Sequence, residues 1–515
     1  MKKLLLIGAM GLTLASCNLD ILPENGLTYS NSFETERELN ATTSSILYYI
    51  NTTIGDNSVF AMAGVKADAL LDGTQVREWN PRTVINSEYS WKGLYDIIFE
   101  SNLLLDNIYR TQGLTTEREN YHKGQAEFGL GLAYFMLAQR YGDAIITENS
   151  SEIKPYPLST QSEVLNTAIE HAKKAYDLLP THENLKDMNG AVITNRQVAS
   201  KGTAAALLAH LYAWRGSVTE LYSLQGNAQE DYQNAVNYAS VIINKQAGSY
   251  ELCSSPETLC EYLSDPSKTN PEAIFSLYFD KTRSSNVTSP NEIARNFVSW
   301  PVREDQQLAD LPTSTQFRLY KQTVTDLFAD TNDERLKAFF YEVDQQHEVD
   351  GVDYAIMYKF RKAIMDPDQY SASGVSYRTV DADYVYWRLA DIILLRAECY
   401  NKLGNTADAT TDLNKIRTRA GALTYPSTYD TEGLKKAIYL ERVKEFIGEN
   451  DARYADIVRN NYIKEELQGK FTLLTAQDIK NGALFLPLPK DAWQDKDGHI
   501  TNTLLRQKPY WQAYN

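Results

Sequence analysis

The stretch "YVYWRLADIILLRAECYNKLGNTADATTDLNKIRTRAG", residues 384–421, decides how this chain folds. Its first half sets Leu395, Ala397 and Tyr400 on one helical face, and Gly404 comes next, where a helix closes in a left-handed residue. A second helical pattern, "TADATTDLNKIRTRAG", runs on to Gly421. Helix, glycine turn and helix, with small residues at the close-packing positions, is the grammar of tetratricopeptide-type pairs. The same offsets recur as Leu207, Ala209, Tyr212 and Gly216, with "DYQNAVNYASVIIN" as the partner helix. In both units the glycine is expected to end the first helix. A looser relative, "LAYFMLAQRYGD" at 132–143, precedes "VLNTAIEHAKKAYDLLP" at 164–180. The intervals are irregular, so these are separate hairpins and not a uniform array.

Working outward, "WKGLYDIIFESNLLLDNIYR" at 91–110 shows one buried face, and helical periodicity begins near Glu36. The stretch 66–90 is less regular. From about 270 to 385 the pattern changes. "EAIFSLYFD" alternates like a short strand, and Pro, Ser, Thr, Asn and Asp punctuate the residues after it, predicting long loops with small strands on a helical body.

The first twenty residues give an address. Lys2 and Lys3, an apolar run from Leu4 to Leu14, and small Ala15 and Ser16 form a secretory signal over residues 1–16. The order Leu14-Ala15-Ser16-Cys17 resembles the bacterial lipobox, in which the cysteine becomes the N-terminus and its sulfur carries a diacylglycerol. Cys17 is therefore the expected lipidation site and membrane anchor, with a water-soluble body at 17–515. The formal charge of −16 argues against nucleic acid and against electrostatic adhesion to anionic lipid. Cys253 and Cys260, in the polar loop "LCSSPETLCEYL", are candidates for a disulfide in an oxidising exterior. Cys399 lies in an apolar helical pattern and is expected in the core.

A search for catalytic patterns yields little. HExxH, GxSxG, Walker A and CxxC motifs are absent, and the six histidines are scattered. Neither a metal site nor a cofactor is expected. "GLGLAY" at 129–134 reads as close helix packing, and "DKDGHI" at 495–500 lacks the opening and closing residues of a calcium loop. Glu441 and Glu445 stand one helical turn apart among arginines, the pattern of an ion-pair lattice, although a glycosidase would also need two carboxylates. The aromatic inventory, 34 tyrosines and 7 tryptophans, is more informative. Trp79 lies beside Arg77 and Asn80 with Asp72 nearby, and Trp300 lies in "NFVSWPVRED". A flat ring with hydrogen-bonding neighbours suits a sugar ring, and also a peptide.

Several segments together resemble the SusD/RagB family of outer-membrane lipoproteins. They are the opening "CNLDILPENGLTYSNSF", "AYFMLAQRYGD", "ASKGTAAALLAHLYAWRG", the stretch 384–421, "ERVKEF" with "RYADIVR", and the closing "LFLPLPKDAW" and "NTLLRQKPYW". The resemblance implies a mainly α, SusD-like fold with four TPR-like helix pairs plus a loop-rich half with a few short strands. It implies an N-terminal part over about 17–250 and a C-terminal part over about 270–515. It also implies a non-catalytic protein, lipid-anchored in the outer membrane and facing the exterior. Such a protein binds oligosaccharide and delivers it to a SusC-like TonB-dependent transporter. The alternatives are a peptide-binding importer subunit of RagB type and a surface glycosidase. By region and chemistry, Asp72, Arg77, Trp79, Asn80 and Trp300 are the expected ligand contacts.

Overall fold

The computed structural model describes residues 32–55, 63–70, 74–87, 89–152, 154–279, 288–298, 317–349, 351–370, 374–449 and 452–514. Six long helices pack each on the next: α1 (Glu36–Gly55), α2 (Lys92–Asn107), α3 (Thr116–Arg140), α4 (Gln161–Leu178), α5 (Lys201–Tyr222) and α6 (Ala228–Ile243). Two shorter helices, α7 (Pro256–Leu263) and α8 (Lys321–Leu327), belong to the loop-rich half. The stack then resumes, with α9 (Leu389–Lys402) on α6 and α10 (Thr406–Arg419) on α9. Read along the stack, α1–α2, α3–α4, α5–α6 and α9–α10 are the four expected pairs. α11 (Gly433–Phe446) and α12 (Ala452–Asn460) close the body.

The helix starts are written in the sequence. Side-chain oxygens of Thr115, Ser200 and Asn227 each accept the backbone N–H three residues on. Thr160 and Glu163 form a reciprocal capping box. Helix α5 is buried almost all round because α4, α6, α9 and strand β2 (Ala273–Leu277) surround it, so its alanines are contact residues. Gly404 ends its helix as expected, with φ of 81° just past α9. Gly216 does not. It lies inside α5, which continues to Tyr222 and closes on Ser223 in the left-handed region. A Cβ at Gly216 would sit 2.8 Å from a ring carbon of Tyr232, so this glycine serves helix contact and not a turn. Gly129 and Gly131 likewise serve close packing.

The loop-rich half is built on a small antiparallel sheet. Its strands are β1 (Ala69–Leu70), β3 (Phe317–Tyr320), β4 (Phe340–Tyr341), β5 (Glu348–Val349) and β6 (Val352–Met357). The order is β1-β3-β6-β4, with β5 also paired to β6. Strands β7 (Ala363–Pro367) and β8 (Val375–Val380) form a separate ribbon, and β9 (Tyr384–Arg388) pairs with β2 at the foot of α9. One hydrophobic cluster runs through the helical stack, and a second, around Phe317, Phe339 and Phe340, lies under the sheet.

The candidate disulfide is not formed. Cys253 and Cys260 are both free and buried. Cys260 is on α7 with its sulfur 3.5 Å from the Ala338 carbonyl, whereas Cys253, before the helix, lies 3.9 Å from Asn270 Oδ1. What looked like one polar loop is a helix with its Ser255 cap, and the two sulfurs have different partners. Cys399 is buried in α9, as expected. Among the described residues, no helix is long and apolar enough to cross a membrane. Cys17 and the signal lie outside them.

Candidate ligand-binding surface

Sheet register places the aromatic residues of the loop-rich half. Tyr320 on β3 is directly opposite Tyr354 on β6, with ring centroids 5.7 Å apart, and the Arg318 guanidinium lies 5.3 Å over the Tyr354 ring. Tyr354 is buried beneath this layer, while Tyr320 keeps 41% of its surface exposed. Asp68, just before β1, fixes the layer in place. Its carboxylate accepts the Tyr320 backbone N–H at 2.6 Å and the Thr323 hydroxyl at 2.9 Å. Its own N–H donates to the Arg318 carbonyl at 2.8 Å.

Arg77 reaches the same place. Its guanidinium donates to the Ala67 carbonyl, and burial lowers its pKa while nearby Asp68 and Tyr320 oppose that shift. The aromatic face, the Asp68 carboxylate and the Arg318 guanidinium therefore meet on one ledge, with Arg77 buried beneath it. Such a ledge can stack against an apolar face and hydrogen-bond at its rim.

A cleft of about 430 Å³ opens beside the ledge, with Lys66, Thr323 and Leu327 on one side and Leu423, Tyr429 and Lys444 among its other walls. Its buried carboxylates are already engaged. Asp330 accepts N–H groups from Leu423 and Asn332, and Asp430 takes two bonds from Arg417. Glu441 pairs with Arg417 and Arg335.

Of the expected ligand contacts among the described residues, Arg77 alone lies at the ledge, buried beneath it. Trp79 is wholly buried. Its ring stacks on Phe471 at 4.7 Å, meets Trp511 edge-on at 5.9 Å, and its Nε1–H donates to the Ala483 carbonyl at 2.7 Å. No face is left for a sugar, so Trp79 anchors its loop to the body. Asn80 is exposed, but its side chain caps the short helix Pro81–Val84. Asp72 and Trp300 lie outside the described residues.

Sequence reading missed Asp68, Arg318, Tyr320 and Tyr354. The alternation of "FRLY" at 317–320 signals a strand, but only pairing with β6 brings the two tyrosines together. Glu441 and Glu445 are buried in ion pairs, so the two carboxylates a glycosidase would need are spent on structure. Among the described residues, Asp495, Asp497 and His499 form one group close enough to hold a metal, but all three are exposed. Asp495 already accepts the His499 and Asp497 N–H groups.

Comparison with known proteins agrees with this architecture. The profile described as the SusD family matches residues 220–485, and one described as "starch-binding associating with outer membrane" matches residues 37–213. SusD-like protein P25 of Formosa agariphila is 23% identical over 416 residues, covering 74% of this chain and 71% of the relative. A solved SusD homologue from Bacteroides thetaiotaomicron VPI-5482 superposes with a TM-score of 0.73 at 20% identity, over 93% of this chain and 98% of that one. NanU of Bacteroides fragilis gives 0.70 at 20% identity, over 95% and 99%. At these identities the structural likeness speaks for the fold. With over half its length matched by the family profile, the chain belongs to the SusD family, whose members associate with the outer membrane.

Proposed function

We propose that this protein is a non-catalytic, cell-surface binder of oligosaccharide that hands its ligand to a SusC-like TonB-dependent transporter. Cys17, lipidated after removal of residues 1–16, would tether it to the outer membrane. The observation that carries the reading is the ledge of Tyr320, Arg318, Arg77 and Asp68 beside an open cleft. It joins the exposed face of Tyr320 to Asp68, held by hydrogen bonds, and to Arg318, held over the Tyr354 ring, with buried Arg77 beneath them. A surface hydrolase is disfavoured because Glu441 and Glu445 face arginines inside the protein.

Affinity at so open a ledge should be modest, since one stacked ring contributes about 1 kcal/mol. Calorimetric titration of the full soluble body with a panel of oligosaccharides should show binding. Tyr320→Ala should weaken it about fivefold to tenfold while leaving the unfolding midpoint within a degree or two of the parent. Unchanged affinity in that variant would remove the ledge from the binding site.

A further inference from the structure

The cleft beside the ledge holds two amines that have no hydrogen-bond acceptor among the described residues. Two of its lining residues, Lys66 and Lys444, carry amines that are mostly shielded from solvent. Among the described residues, neither amine donates a hydrogen bond. Lys444 reaches a carboxylate, Asp333, only at 4.0 Å, and Asp333 is already held by two bonds from Arg335. The carboxylates near these amines have other hydrogen-bond partners: Asp430 and Glu441 arginines, Asp330 backbone N–H groups, Asp326 the Gln322 amide, Asp68 Tyr320 and Thr323, and Glu466 Arg453 and Lys436. Burial accordingly depresses both amines below the ordinary lysine value. Glu441 and Asp333 offset part of the Lys444 charge, and Glu466 and Asp68 part of the Lys66 charge, but a half-buried ammonium with no hydrogen-bond acceptor is still costly, and an incoming anion would supply one.

The rest of the cleft narrows the class of anion. The lining mixes polar groups with an apolar part that includes Leu327 and Leu440, and half-exposed Tyr429 and Leu423 stand among the lining residues. A bare inorganic ion would leave that apolar part wet. A cavity of about 430 Å³ lies in the range that holds a small organic ligand. Thr323 lines the cleft while its hydroxyl bonds Asp68, the residue that also fixes Tyr320, so cleft and ledge form one continuous surface.

We infer that the cleft selects saccharides that carry carboxylates, with Lys66 and Lys444 as the carboxylate-binding residues and Tyr320 stacking a neighbouring sugar. This inference rests on the proposed oligosaccharide-binding function and names its substrate class.

The test uses the full soluble body and short oligosaccharides of galacturonate, mannuronate and glucuronate, each beside its carboxyl-reduced, neutral counterpart. Calorimetry should find at least one acidic oligosaccharide bound about tenfold or more tightly than its reduced form, because a hydrogen bond to a charged group is at stake. Lys66→Met and Lys444→Met should each remove most of that preference, Lys66→Arg should retain part of it, and raised salt should weaken it. Circular dichroism melts keep a folding defect in either variant distinct from a lost contact. Equal affinity for acidic and reduced forms would overturn the inference while leaving oligosaccharide binding in place. A preference that survives in both methionine variants would also overturn it. Failure to bind any oligosaccharide, acidic or neutral, would overturn the proposed function as well.

Discussion

Trp79 shows how one side chain can carry the chemistry of a binding residue and yet belong to the interior. Its neighbours in sequence, Arg77 and Asn80, are polar, and its backbone adopts a positive φ of 51°, a conformation that costs a bulky residue free energy. That cost is held by burial against Phe471 and Trp511 and by the bond to the Ala483 carbonyl. Trp79→Ala should therefore destabilise the protein by about 3–5 kcal/mol. Trp79→Phe, which keeps a ring but strands the carbonyl, should cost about 1–3 kcal/mol. Urea unfolding of the two variants measures both. Saccharide affinity in the folded fraction should stay at the parent value, the opposite of the outcome expected for Tyr320→Ala.

At the scale of the element, the crossing of α3 and α4 depends on a missing side chain. A Cβ at Gly131 would lie 3.1 Å from the Ala172 nitrogen and 3.2 Å from the Ala168 carbonyl oxygen, both backbone atoms that cannot swing aside. Gly131→Ala gains intrinsic helix propensity of about 1 kcal/mol but forces the two helices apart. Overpacking of this kind costs about 1–3 kcal/mol, so the net change in urea unfolding should be neutral to destabilising, never the gain that propensity alone predicts. This contact was legible in "GLGLAY", because a glycine inside a helical pattern needs a packing reason. The helix pairs were legible for the same cause: period, caps and glycine ends are local signals. Gly216 shows the limit. Its offset from Tyr212 copies that of Gly404 from Tyr400, but whether a glycine ends a helix or admits a neighbour depends on Tyr232, from another helix. The ledge was less legible still. Asp68 and Tyr320 are 252 residues apart, and no local pattern marks a carboxylate that will bond a distant backbone N–H. Composition singled out both Arg77 and Trp79 as surface groups, and both side chains are buried.

For the whole molecule, the two hydrophobic clusters are joined through buried charge. Arg388, at the end of β9, donates to Glu272, Glu445 and Glu449 at 2.7–2.9 Å. Arg335 reaches Glu445 and Asp333 from the loop-rich half, and Lys359, after β6, pairs with Glu449 at 2.5 Å. Burial pushes the Glu445 carboxyl up, but Arg419, Arg388 and Arg335 together hold it well below the ordinary carboxylate range. Each charge is thus tolerable only because groups from both halves surround it. Such a lattice adds little net stability over an apolar core of equal volume, yet losing one member is expensive. Arg388→Met would leave Glu445 and Glu449 short of a partner and should cost about 3–5 kcal/mol. Its further effect should be on cooperativity. The parent, with both clusters tied to one lattice, should unfold in a single urea transition by tryptophan fluorescence and circular dichroism alike. In Arg388→Met, hydrogen exchange followed across the same urea range should show the sheet-containing half released before the helical stack that the tryptophans report. Coincident transitions in that variant would mean that the halves are coupled by apolar packing instead, through residues such as Leu327 and Val76 that contact both clusters.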